Sequence, residues 1–162
     1  YSLDLSFDTD NEEAMALSNK LKELDEIIIK TVADNSKEWL GKAYDINVIR
    51  EALYKPLVRQ GKEEYPDTMK LKIMTKPSGD FLAEAYNSAR EMISVDQIEK
   101  GQRCACIVDV NQIWFIDNKF GVSVRLSQVL CQQSAKLPSF AFQGLDGDEI
   151  VEEEYTEEEV DE

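Results

Sequence analysis

The sequence predicts an α+β fold, a small antiparallel β-barrel with two helices packed against it and an acidic C-terminal tail. Three observations carry that expectation. Arg103 to Cys131 reads as a β-hairpin with two long arms, Asn11 to Leu57 reads as two amphipathic helices, and from Asp146 onward the chain is dominated by carboxylates. Residues 1–145 are therefore expected to form one domain and residues 146–162 a tail.

The hairpin carries the most information. Its second arm alternates Phe120, Val122, Val124 and Leu126 with Lys119, Gly121, Ser123, Arg125 and Ser127, the period of two of a half-buried strand. Asp117 and Asn118 tolerate positive φ and suit a two-residue turn. That turn pairs Ile116 with Lys119, Phe115 with Phe120, Trp114 with Gly121 and Ile113 with Val122, which sends Ile113 and Phe115 to the core side. Trp114 then shares a face with Lys119, Ser123 and Arg125, and Gly121 opposite leaves its ring uncovered, as a stacking platform for an unpaired base requires. A turn of another length would flip the register and bury Trp114 instead. In the first arm the apolar positions are even through Val110 and odd from Ile113, which a β-bulge between Asp109 and Gln112 explains.

The remaining elements follow in order. Tyr1 to Phe7 alternates as a half-buried strand. Asp10 with Glu13 resembles a capping box, and Leu17, Leu21, Leu24, Ile28 and Val32 form the apolar side of the helix it opens. Asp8, Asp10, Glu12 and Glu13 lack the glycine and the twelfth-position glutamate of a calcium loop and suit a helix N-terminus. Asp34-Asn35-Ser36 ends the helix and opens a short turn closed by Gly41. Asp45 caps a second helix bearing Ile46, Ile49, Leu53 and Leu57, with Pro56 in its last turn. Trp39 is expected to pin the two helices together, with stacking on a ligand as the alternative.

Met69 to Thr75 reads as a strand whose outer face carries Lys70 and Lys72, with Lys76 following. Such a face either tracks a phosphate backbone or protects a sheet edge. Residues 81–98 fit two short strands or irregular structure. Phe140 and Phe142, in a Pro-punctuated connection, are expected to dock on the barrel.

Composition narrows the function. The chain has no histidine, no phosphate-binding glycine loop and no nucleophile elbow, so neither an enzyme nor a cofactor is expected. Cys104, Cys106 and Cys131 make a poor zinc set and suit small buried hydrophobes, so no metal is expected. No apolar run approaches the roughly 20 residues that cross a bilayer and no signal peptide is visible, so a soluble, intracellular protein is expected. The chain begins at Tyr1 rather than Met, and an N-terminus before it is expected to be missing.

The net charge of −15 is unevenly distributed. Residues 146–162 hold 11 acidic and no basic residues, residues 1–26 hold 8 acidic and 2 basic, and residues 27–145 hold 14 acidic and 16 basic. The middle is slightly cationic between two anionic ends. The tail is too charged and too poor in apolar residues to fold. It would either solubilise the chain or compete with nucleic acid for a cationic groove, offering Ile150, Val151, Tyr155 and Val160 to partner proteins.

Several stretches together resemble one family. They are Ser36-Lys37-Glu38-Trp39-Leu40-Gly41-Lys42, Tyr65-Pro66 leading to Lys70-Leu71-Lys72-Ile73, and Ile113-Trp114-Phe115-Ile116 with Lys119-Phe120-Gly121-Val122-Ser123. Their order resembles the single-stranded DNA-binding proteins of large nucleocytoplasmic DNA viruses. The FGVS-type hairpin followed by Leu126 to Val129 is also similar to the last strands of phage-type single-stranded DNA-binding proteins. The resemblance implies an oligonucleotide-binding (OB) barrel that coats single-stranded DNA without strong sequence preference in viral replication or recombination. The location it implies is the host cytoplasm or nucleus at replication sites.

On that reading Lys70, Lys72, Lys76, Arg103, Lys119 and Arg125 meet phosphates, while Trp114 and, second to it, Phe115 stack on bases. The tail would recruit replication proteins, although its end, Val160-Asp161-Glu162, lacks the terminal aromatic of the phage pattern. The helical pair is larger than a minimal barrel needs and offers a surface for a homo-oligomer. The competing expectation is an acidic-tailed protein-interaction module, chaperone-like or a transcription or virion assembly subunit, that works through its tail and first helix without touching nucleic acid.

Overall fold

A computed structural model describes residues 1–133. Its centre is the predicted hairpin, with β7 (Cys104–Ile116) antiparallel to β8 (Lys119–Cys131). Asp117 and Asn118 form the turn with φ of 50° and 64°, the left-handed pair that lets a two-residue loop follow the strand twist. The register is the expected one, with Trp114 opposite Gly121 and Phe115 opposite Phe120. Asn111 is unpaired between the Val110–Val124 and Gln112–Ser123 pairs, which places a bulge where the change in apolar parity predicted it. A further bulge leaves Ser127 unpaired between Leu126 and Gln128.

The other edge of β8 is shared by three strands, each running parallel to it. β2 (Tyr54–Lys55) pairs at Phe120 and Gly121, β4 (Thr68–Lys72) at Arg125, and β5 (Glu84–Tyr86) from Gln128 to Leu130. β4 pairs antiparallel with β1 (Ser2–Ser6) and with β3 (Val58–Arg59), and β5 pairs antiparallel with β6 (Met92–Ile93). The sheet is thus mixed and curls into a half-barrel, where a purely antiparallel closed barrel was expected. Alternation reports which face of a strand is buried but not the direction of its neighbour, so the parallel pairings left no local signal. Residues 81–98 supply two short strands and a 3₁₀ turn (Val95–Gln97) capped by Ser94.

Two apolar clusters lie under the sheet. One gathers Met69, Leu71, Val124, Leu126 and Val129 with Phe7, Leu57 and Ala85. The other joins Ile28, Ile29 and Val32 to Ile49, Tyr54 and Phe120. Those first three residues belong to α1 (Glu12–Asp34), whose N-cap is Asn11, accepting from the Ala14 N–H at 3.0 Å, rather than the expected Asp10. Its buried face also carries Ser18 and Asp25, while Leu17 is half exposed. Trp39 ends a one-turn helix, α2 (Ser36–Trp39), and is 47% exposed rather than pinning the helices. Fully buried Ile49, and the Ser36 hydroxyl accepting from the Tyr44 N–H at 3.0 Å, hold that corner instead.

The largest departure is in the second helix. Asp45 caps it as predicted, accepting from the Asn47 N–H at 2.8 Å, but α3 (Ile46–Val48) passes into a π-helical turn (Ile49–Leu53) and stops. The chain then runs extended as Tyr54-Lys55-Pro56-Leu57-Val58. Pro56 disfavours helix at Lys55, and the buried Asp25 carboxylate accepts from the Tyr54 hydroxyl, from the Leu57 N–H at 2.9 Å and from the Val58 N–H at 3.3 Å. Among the described residues no helix is long and apolar enough to cross a membrane. Phe140, Phe142 and the tail positions Ile150, Val151, Tyr155 and Val160 lie outside the described residues.

Replacing Asp25 by Ala leaves a buried hydroxyl and two buried N–H groups without their acceptor. We expect a loss of roughly 3 kcal/mol or more in urea unfolding, against about 1 kcal/mol for Tyr54→Phe, which removes donor and polar atom together. Burial and the adjoining Asp25 raise the Tyr54 hydroxyl pKa well above its ordinary value. The neutral phenol therefore stabilises the fold fully below pH about 10, the unfolded value, and that contribution falls as pH rises beyond it. Comparing wild type with Tyr54→Phe between pH 9 and 11 isolates the effect.

Candidate nucleic-acid interface

Residues on one face of β4, β7 and β8 and of the strap from Tyr54 to Arg59 come together outside the core. On β8, Gly121, Ser123 and Arg125 alternate away from buried Phe120, Val124 and Leu126. β4 sends Lys70 and Lys72 outward while Met69 and Leu71 are buried. β7 contributes Trp114, half-buried beside Gly121. The strap from Tyr54 to Arg59 adds Lys55 and Arg59, because Tyr54, Leu57 and Val58 point inward.

A cleft of about 230 Å³ is lined by Trp114, Ser123, Lys55, Arg59, Lys70 and Lys72 together with Ser2, Pro56 and the apolar Leu57, Val122 and Val124, and Arg125 lies beside it rather than in its wall. Enclosed sites for small molecules run to about 300–1,000 Å³, so this groove is smaller than an engulfing pocket.

The position of Trp114 follows from Gly121. A Cβ at residue 121 would lie 2.8 Å from the Trp114 Cζ2, 3.0 Å from its Cε2 and 3.1 Å from the Lys55 carbonyl oxygen. The missing side chain lets the indole lie down on the β8 backbone, so one part of the ring is covered by Gly121 and the rest forms cleft wall. The ring is therefore supported rather than fully uncovered as the sequence suggested.

The cations differ in how free they are. Lys70 faces Asp4 of β1 at 3.7 Å, an exposed pair of little energetic weight. Lys55, Arg59 and Lys72 have no carboxylate within 4.0 Å among the described residues. Lys72 sits beside Arg125 across the β4–β8 pairing, and the Arg125 Nε is buried without a hydrogen-bond partner. Four basic side chains around one small cleft create a local field opposite in sign to the net charge of the chain.

Other expected site residues are not in the cleft. Phe115 points to the opposite face, its ring stacked on Phe120 with centroids 5.5 Å apart and planes at 18°, because alternation places it one position off Trp114. Arg103 lies at the far end of the hairpin and pairs with Asp8 at 3.2 Å. Lys76 lies in the turn after β4, its N–H bonded to the Asp80 carbonyl at 2.7 Å. Lys119 is exposed beside the hairpin turn, outside the cleft wall. Lys55 and Arg59 were missed because Pro56 was read as the end of a helix. The legible signal was Lys55-Pro56 itself, since a residue before proline prefers an extended backbone.

The thiols gather at the base of the hairpin. Cys104 and Cys106 approach to 3.9 Å between sulfurs, and buried Cys131 lies opposite Cys104. Hydrogen bonding between the two sulfurs lowers the Cys104 thiol pKa, and burial raises that of Cys131. Among the described residues no group of three potential ligands could hold a metal ion.

A family model described as Family of unknown function (DUF5871) matches residues 4–144. The chain belongs to that family. The match takes in the cleft residues from Lys55 to Val124 and ends at residue 144. No curated protein and no solved structure matches the chain.

Substituting Gly121 by Val drives a branched side chain into the indole and the Lys55 carbonyl. We expect a loss of about 1–3 kcal/mol in stability. In a Trp39→Phe background, which leaves Trp114 as the single emitter, the fluorescence maximum should shift to the red as the ring is displaced into water.

Proposed function

We propose that the chain binds single-stranded nucleic acid, DNA by the resemblance in its sequence, without reading its bases, and that it is not an enzyme. The observation that carries this reading is the cleft that sets the supported indole of Trp114 among Lys55, Arg59, Lys70 and Lys72. A flat aromatic accepts any base by stacking, and ammonium and guanidinium groups follow the phosphates whatever the sequence. A curled sheet with a stacking side chain and cations on one face is also the working arrangement of an OB barrel. On this reading the fold is an OB-like barrel left open along β7.

The phosphate contacts are Lys55, Arg59, Lys70 and Lys72, with Arg125 and Lys119 extending the track along β8. Trp114 is the stacking residue. The acidic tail, residues 146–162, competes for the same cations when no strand is bound and presents Ile150, Val151, Tyr155 and Val160 to replication proteins. The interaction-module alternative would work through Leu17, Leu21, Leu24 and Ile28 of α1, of which Ile28 is buried, Leu21 and Leu24 pack against the core and Leu17 is half exposed.

The test is fluorescence anisotropy of a labelled 30-base oligonucleotide and of the same length of duplex at two salt concentrations. Salt-sensitive binding to the single strand alone supports the reading, and no binding at low salt with or without the tail contradicts it. Trp114→Ala should cost roughly 1–3 kcal/mol of binding. Lys72→Ala should lower the dependence of log K on log salt by about one and weaken every sequence alike, whereas Arg103→Ala, distant from the cleft, should change neither.

A further inference from the structure

β7 is a strand of 13 residues with a neighbour on one edge only among the described residues. The sheet's other strands with a single neighbour are short: β1 has five residues, and β2, β3 and β6 have two each. Short edges are one means by which proteins avoid edge-to-edge pairing, and lysine or proline on the edge is another. β7 uses neither: its sequence CACIVDVNQIWFI contains no lysine, arginine or proline and a single charge, Asp109. Its bulge at Asn111 bends the strand without covering it.

The side chains along this edge are apolar and open. Val110, Ile113 and Phe115 lie on the core side of the sheet, yet remain 50%, 47% and 45% exposed because no further strand continues the layer. Ile107 and Ile116 are 61% and 63% exposed. Together they leave on the order of 500 Å² of apolar surface, which with the edge backbone approaches the roughly 800 Å² per partner of a standard stable interface.

We propose that β7 is a homodimer interface, at which two copies of this chain pair edge to edge, antiparallel about a two-fold axis. A second copy fits this edge better than other occupants do. An antiparallel strand edge is complementary to itself about a two-fold axis, so the partner offers the same length of backbone donors and acceptors and the same apolar row. The acidic tail, with 11 carboxylates in residues 146–162, is a poor match for an edge with no cation. With the axis normal to the sheet, the clefts of both copies open on the same side.

The test is sedimentation of the full chain, without nucleic acid, at concentrations up to about 100 μM, because dimer formation depends on concentration. The expected species has twice the 18.5 kDa chain mass. The double variant V110K/I113K, whose two side chains are half exposed, should keep the wild-type circular dichroism and sediment as one chain. If the variant fails to fold, hydrogen exchange on the wild type replaces it, and protection of the β7 amides should rise with protein concentration.

A wild-type chain that stays monomeric overturns the proposal, as does a folded variant that still dimerises. β7 amides protected equally at all concentrations in a monomer would show that the edge is covered by the chain's own residues beyond 133. None of these readouts involves nucleic acid, so this proposal can fail while the binding reading stands.

Discussion

Asp25 accepts from the Tyr54 hydroxyl and from two backbone N–H groups of the strap, and the position of the cleft depends on that set of contacts. Burying a carboxylate costs several kcal/mol, and three charge-assisted donors at about 1.5–3 kcal/mol each return a gain of the same order. The net contribution to stability is therefore small, while the contribution to position is large. With Tyr54, Leu57 and Val58 turned toward the carboxylate and the core, Lys55 and Arg59 have only the outer face left. Lys55 also lends its carbonyl to the corner against which Gly121 and Trp114 pack. Helix, strap, hairpin and stacking ring are thus linked through one buried side chain.

How much of this was legible depended on whether the determining contact was local. The hairpin was legible to the level of residue pairs, because Asp117-Asn118 and strict alternation in β8 leave one register that buries Phe120 and Val124. The bulge at Asn111 announced itself as a change of parity in β7, and Leu126 followed by Val129 carried the same signal for Ser127. The strap was not legible. Its helix-like spacing of Ile46, Ile49 and Leu53 runs on to Leu57, and what ends the helix is an acceptor on α1, far away in sequence. Trp39 failed for a related reason, since its size suggested burial but Ile49 fills that corner. Asp25 falls on the apolar side of α1, four residues after Leu21 and three before Ile28, but nothing within α1 shows that its neighbour is a strand in need of acceptors.

The charge distribution gains meaning once the cleft is in place. An overall charge of −15 would repel a polyanion, but the field that matters within a Debye length of roughly 8–10 Å is that of Lys55, Arg59, Lys70 and Lys72. Two of these, Lys70 and Lys72, were in the sequence-derived set, and three cations of that set, Lys76, Arg103 and Lys119, lie outside the cleft wall. Counting cations located the right strand in β4 but could not say which cations the fold brings to Trp114. The placement of Trp114 was the more legible, because a glycine opposite a tryptophan is a geometric statement as well as a compositional one.

The most direct test of the central claim, that the Trp114 ring is the surface on which bases stack, is its own emission. In a Trp39→Phe chain titrated with an unlabelled oligothymidylate at low salt, we expect saturable quenching of Trp114 that is reversed by added salt. Binding detected by another method without any change in Trp114 emission would contradict it and place the strand elsewhere on the molecule.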